Sequence, residues 1–227
     1  MLISCKSEQQ GEAAVSQSES PVSAVSDKSA RPAVTADPYE VDSIAYQRWG
    51  SPSSPHRDEE RYINFLNHFL AVDTLPEELR LRAEERLRVA SLNRRGTIAN
   101  DFEFIDRKGR RGTLHGTQGS ETMLIFYDPE CPHCGDILAA IAGDKAINKA
   151  IADGTLTVLA IYTEGKRNVW DSTKADMPAN WEVGYDLTGI LDRELYDIPA
   201  MPTVYILDSS GRVILKDPDV SRLLGRR

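Results

Sequence analysis

The sequence predicts an α/β protein, a mixed sheet flanked by helices, with a small all-helical segment and a polar tether before it. Three observations carry this expectation. Short apolar runs, Met123–Tyr127 and Leu156–Ile161, have the length and composition of buried central strands. Between and after them, apolar residues recur at helical spacing. Upstream, residues 39–95 show only the helical period, and residues 1–38 show no period at all.

Residues 6–38 are mostly Ser, Ala, Glu, Gln, Pro and Val without an aromatic residue, and serines 16, 18, 20, 23, 26 and 29 recur among Pro21, Pro32 and Pro38. Such a stretch buries too little apolar surface to offset its ordering entropy, so a disordered linker is expected. In residues 39–95, Tyr62, Ile63, Phe65, Leu66, Phe69 and Leu70 mark one helix face. Thr74 is positioned as a cap, Glu77 can reach back to it, and Pro76 suits a first turn. Leu79, Ala83, Leu87 and Ala90 then mark a second helix, whose alternating charges read as a solvated face. A helical hairpin is expected.

After Gly96 the period shortens. Phe102, Phe104 and Leu114 flank the turn Asp106-Arg107-Lys108-Gly109, predicting a hairpin. The central strand follows, then Ile137, Leu138, Ile141, Ile147 and Ile151 at helical spacing, interrupted at Gly143-Asp144. A second strand, a loop or short helix around Trp170, a helix near Thr188–Leu195, and a hairpin of Thr203–Leu207 with Val213–Leu215 complete the pattern. Trp170 and Trp181 are expected to pack against the sheet, and Trp49 within the helical part.

The 227 residues hold 27 basic and 35 acidic side chains, a formal charge of −8, which argues against a general nucleic-acid or anionic-membrane binder. No apolar run approaches the ~20 residues of a membrane-spanning helix. Three cysteines are too few for a disulfide-stapled scaffold, so their positions matter more than their number.

Two of them stand in Asp128-Pro129-Glu130-Cys131-Pro132-His133-Cys134, directly after the central strand and opening a helix. Cysteines two residues apart in a first helical turn can close a small disulfide ring. The unpaired N–H groups and positive end of the helix favour negative charge there and are expected to lower the first thiol's pKa. Cys131 is then the exposed nucleophile, and Cys134, facing inward, resolves the mixed disulfide. His133 can donate to the Cys131 sulfur and add positive charge; Glu130 acts in the opposite sense. A zinc site would need two more ligands, and His56, His68 and His115 have no partner spacing. A c-type haem would need histidine where Gly135 stands. No metal or organic cofactor is expected.

Residues 97–224 resemble the thioredoxin superfamily, in particular its cell-envelope TlpA/ResA-like branch. The likeness rests on the leading hairpin, the Cys131–Cys134 motif after the strand, and the stretch Tyr196-Asp197-Ile198-Pro199-Ala200-Met201-Pro202-Thr203-Val204-Tyr205-Ile206-Leu207-Asp208 followed by Gly211. It implies a cis proline at Pro202 beside the redox cysteines, and a client strand lying along Met201, with Thr203 next in line. It implies thiol–disulfide exchange with client proteins, and a further redox partner that resets the dithiol. Cys-Pro-His-Cys resembles the motif of strongly oxidising DsbA-type enzymes, whereas the TlpA-like framework leans reducing. The family's buried strand aspartate, six residues before the first cysteine, is Ile125 here. Asp128 and Asp136 are candidates for the proton acceptor of Cys134.

Leu2-Ile3-Ser4-Cys5 resembles the lipobox of bacterial lipoproteins, which implies a lipidated Cys5, a periplasm-facing location and membrane contact only through the anchor. The helical segment resembles the N-terminal domain that some envelope lipoproteins place before such a module. A reading of another class is a binding or assembly lipoprotein that uses the sheet domain as scaffold.

Overall fold

A computed structural model of the chain describes residues 36–117 and 119–217. The linker up to Thr35 and the proposed lipidation residue Cys5 lie outside the described residues. The described residues, from Ala36 to Asp217, form one compact unit.

Three helices come first: α1 (Pro38–Ala45), running into a π turn at Tyr46–Gly50, then α2 (Glu59–Leu70) and α3 (Glu77–Ala90). Asp37 caps α1 by accepting from the Tyr39 N–H, and Asp58 caps α2 by accepting from Arg61. The helical stripes predicted from spacing meet in a small core of Tyr62, Leu66, Phe69, Leu75, Leu79 and Ala83, against which Trp49 packs. The start of α3 corrects the sequence reading. Pro76, not Thr74, occupies the cap position, and no side chain caps it. Leu75 is drawn into the core while Thr74 is left in solvent, two residues short of the helix.

The rest is a seven-stranded mixed sheet in the order β2-β1-β5-β4-β3-β6-β7. Its strands are β1 (Glu103–Asp106), β2 (Arg111–Thr113), β3 (Glu121–Tyr127), β4 (Leu156–Tyr162), β5 (Glu182–Asp186), β6 (Thr203–Asp208) and β7 (Val213–Asp217). Strand β3 pairs in parallel with β4 and antiparallel with β6. Helices α4 (Pro132–Gly143) and α5 (Lys145–Ala152) lie between β3 and β4 in sequence, and α6 (Arg167–Thr173) follows β4. The break between α4 and α5 falls at Asp144, whose carboxylate accepts from Ala146 and Ile147 at 2.8 and 2.9 Å.

Strand β3 is buried on both faces, which explains its unbroken apolar sequence. Met123, Ile125 and Tyr127 point into one core with Cys134, Leu138, Ile141, Trp170 and Trp181; Leu124 and Phe126 point into the other with Phe102, Phe104, Tyr196 and Tyr205.

Two elements differ from the sequence reading. Strand β5 was not expected, because Gly184 interrupts its apolar pattern. That glycine is required: a Cβ there would stand 2.6 Å from the Phe104 ring and 2.7 Å from Ile161. The helix expected near Thr188–Leu195 is instead a short run of turns. The Asp186 carboxylate accepts from Thr188 and Ile190, Arg193 donates to the Gly189 carbonyl, and Glu194 at φ 48° ends the run.

Candidate active site

The site is built where β3 ends. After Tyr127, the Asp128 carboxylate accepts from the Glu130 N–H at 2.9 Å, and its carbonyl accepts from the Cys131 N–H at 3.2 Å. This tight turn delivers Cys131 to the N-cap of α4 with extended backbone (φ −90°, ψ 114°), and Pro132 fills the first helical position, where its missing N–H costs nothing. The Cys134 N–H donates back to the Cys131 carbonyl at 3.1 Å. Cys131 is half-buried and Cys134 fully buried, and both are free thiols.

Burial pushes the Cys134 thiol up to about 12. A hydrogen bond to Cys131, the Cys131 charge and the Asp128 charge push the same way, while a backbone hydrogen bond at Asp128 opposes them. Cys134 is therefore a neutral thiol at physiological pH.

Glu130 and Lys166 form an ion pair at 2.5 Å. The carboxylate that acts against negative charge on Cys131 thus has its own counter-ion. Lys166 lies 36 residues away in sequence, and no pattern in the chain links the two. Pro132 and His133 are exposed on the first turn of α4, and His133 makes no hydrogen bond among the described residues. Asp136 is exposed on the same helix, whereas Asp128 is half-buried and electrostatically coupled to Cys134.

The second half of the site is the segment before β6. The Met201–Pro202 peptide bond is cis and Pro202 is buried. Register places Thr203 opposite Phe126, so Pro202 stands beside the end of β3, from which the Asp128–Cys131 turn departs. Met201 and Cys131 pack against the same core. The Thr203 side chain is fully buried and its hydroxyl donates to the Ala200 carbonyl at 2.6 Å, so it shapes the loop and does not face a client. The Tyr205 hydroxyl holds the loop from below by donating to the Asp197 carbonyl at 2.7 Å.

Under the cysteines lie two groups the sequence reading did not single out. Tyr127 and Tyr162, at the ends of the parallel strands, face each other with ring centroids 6.2 Å apart. Both hydroxyls are buried without a hydrogen-bond partner among the described residues. Each looked like an ordinary strand residue, since only the parallel register brings them together.

A dithiol at the head of a helix, beside a cis-proline loop and on a mixed sheet, is the site of a thioredoxin-type protein. No protein-family model and no curated protein matches the chain. Among solved structures, a thioredoxin-like protein from Bacteroides caccae is 30% identical, with a TM-score of 0.77, over 82% of this chain and 67% of that one. A conserved protein of unknown function from Bacteroides fragilis is 39% identical, with a TM-score of 0.55, over 57% of this chain and 96% of that one. The C-terminal domain of a candidate thiol–disulfide oxidoreductase from Bacteroides thetaiotaomicron shares the fold at 17% identity and a TM-score of 0.50, over 59% of this chain and 93% of that one. The chain belongs to the thioredoxin-like family.

Proposed function

We propose that the chain is a thiol–disulfide oxidoreductase of the TlpA-like type that exchanges disulfides with client proteins through Cys131 and Cys134. One observation carries the reading: an accessible cysteine caps a helix, and a buried cysteine one turn later waits beneath it, beside a cis-proline loop. In the reducing direction the Cys131 thiolate attacks a client disulfide, forming a mixed disulfide and releasing one client thiolate. Cys134 then loses its proton and attacks Cys131, freeing the second client sulfur and leaving the protein oxidised. In the oxidising direction a client thiolate opens the Cys131–Cys134 bond, and the client's second thiolate displaces Cys131. The protein is left reduced in that case, and a separate redox partner resets it.

The client lies along Met201 and the Pro202 loop as an added strand. His133 contributes its dipole or charge to the sulfur from the exposed turn. His133→Ala is then expected to leave stability unchanged and make the reduction potential more negative by at least ~30 mV, a tenfold change in the two-electron equilibrium. An unchanged potential would make His133 a bystander. The exchange reading itself fails if the reduced protein does not accelerate insulin reduction by dithiothreitol.

The placement proposed with this activity is the periplasmic face of a bacterial envelope, with Cys5 lipidated and the Ser-rich stretch as tether. Mass spectrometry of membrane-extracted protein is expected to find an acylated Cys5; an unmodified cysteine there would remove the anchor.

A further inference from the structure

The helices supply no group to the exchange chemistry, yet they line an open cavity of about 360 Å³ against the segment that leads to the cis proline. Its walls include Tyr46, Trp49, Tyr62, Pro52, Val89 and Pro199. Three of the walls are aromatic, Tyr46, Tyr62 and Trp49, and the two tyrosine rings meet with centroids 6.2 Å apart.

The charged groups around the cavity are already matched. Arg86 donates to both oxygens of Asp42 at 2.9 Å and covers the Tyr46 ring at 4.4 Å. Glu85 accepts from Arg88, and Arg57 stands 3.7 Å from Asp197. An ionic ligand would find no spare counter-charge here, so the chemistry selects a neutral occupant. Tyr62 is 5% exposed, and its hydroxyl lies buried beside Arg86. Burial pushes that hydroxyl up to about 12, so it stays neutral and adds no charge to the cavity.

The position of the cavity ties it to the redox site. Pro199 stands three residues before Pro202, roughly 10 Å of extended chain at most. Lys216 of β7, paired in register with Tyr205, bonds the same segment to the helices through Asp197 and Glu59. The helices therefore adjoin the end of the sheet at which Cys131 and Pro202 lie.

We infer that this cavity is a client subsite, which receives an aromatic side chain lying within about four residues of the client cysteine exchanged at Cys131. The inference rests on the exchange reading and names the client feature that the helical segment selects. Aromatic walls accept a ring in edge or offset contact.

The test uses the full chain and nine-residue peptides whose central serine replaces the reacting cysteine, with one phenylalanine moved from four residues before it to four after. In calorimetric titrations, one or two adjacent placements are expected to bind at least roughly tenfold tighter than the all-alanine peptide. Val89→Phe, which fills the cavity, is expected to remove that preference, with the milder Val89→Leu intermediate. Exchange with the small substrate dithiothreitol is expected to be unchanged in both variants. A wild-type chain indifferent to phenylalanine at every placement, or a Val89→Phe chain that keeps the preference, would overturn the subsite. Serine peptides cannot exchange, so binding reads the cavity independently of the chemistry. Tight aromatic binding by a chain that does not reduce insulin would overturn the exchange reading and, with it, the assignment of the occupant as a redox client.

Discussion

Cys131→Ser is expected to lower catalysed insulin reduction to background, a loss of at least about a thousandfold, whereas Cys134→Ser is expected to stop turnover while accumulating mixed disulfides with clients. The asymmetry follows from burial. Cys131 caps α4 and is reachable, while Cys134 is fully buried and is pushed up to about 12. On the proposed reading it is therefore Cys131 that begins the exchange. Once Cys131 is tied into a mixed disulfide, it loses both the charge and the hydrogen-bond acceptor that hold the Cys134 proton in place. What remains is desolvation and the Asp128 charge, so the proton becomes easier to remove at the step that needs it. The sign is clear: resolution consumes the Cys134 thiolate, so its rate rises with pH, by up to about tenfold per unit while the thiol is mostly protonated. Stopped-flow measurement of mixed-disulfide decay between pH 6 and 8 checks this. In the same assay Asp128→Asn speeds decay if the carboxylate acts only through its charge, and slows it if Asp128 accepts the proton. Full turnover by either cysteine variant, or a flat pH profile, would sink the assignment of roles.

The sequence made the sheet and the cysteines legible for one physical reason: both depend on local pattern. A strand buried on both faces needs an unbroken apolar run, and Met123–Tyr127 has one. Pro132 suits the first position of the helix that opens on Cys131, a signal readable from neighbouring residues alone. What stayed hidden depends on distance in the chain. Gly184 reads as a strand breaker until the Phe104 ring is seen against it. Glu130 reads as an opposing charge until Lys166 is found across the loop. Asp197 reads as part of a family motif, yet its carboxylate serves the helices. Thr203, expected to face the client, is turned into its own loop by the Ala200 carbonyl. The Thr188–Leu195 helix fails because Gly189 at φ 79° and Glu194 at φ 48° leave the right-handed helical region within it.

The largest stability effect is expected at Lys216, which no sequence pattern marks. Its side chain is 2% exposed, and its ammonium lies 2.9 Å from the Glu59 carboxylate and 2.9 Å from that of Asp197. It also donates to the carbonyls of Ala90 and Leu92 at 3.1 and 3.2 Å. One cation thus ties β7 to α2, to the residues ending α3, and to the segment before Pro202. A buried ion pair adds little over a well-packed apolar substitute, but removing one partner strands the other charges. Lys216→Met would leave two carboxylates, 15% and 11% exposed, with Arg57 at 3.7 Å from Asp197 as the nearby cation. The expected loss is about 3 kcal/mol, a large fraction of the ~5–15 kcal/mol that holds a typical domain. Urea titration would read it as a lower midpoint at similar slope. Adding Glu59→Gln is expected to restore part of the loss, because it removes one stranded charge; two independent sites would instead add their costs. Hydrogen exchange locates the damage: amides of α2, α3 and residues 197–200 lose protection before those of β3 and β4. A loss below about 1 kcal/mol, or protection lost evenly across the sheet, would mean that the helices are held by their apolar contacts and that the cation is incidental.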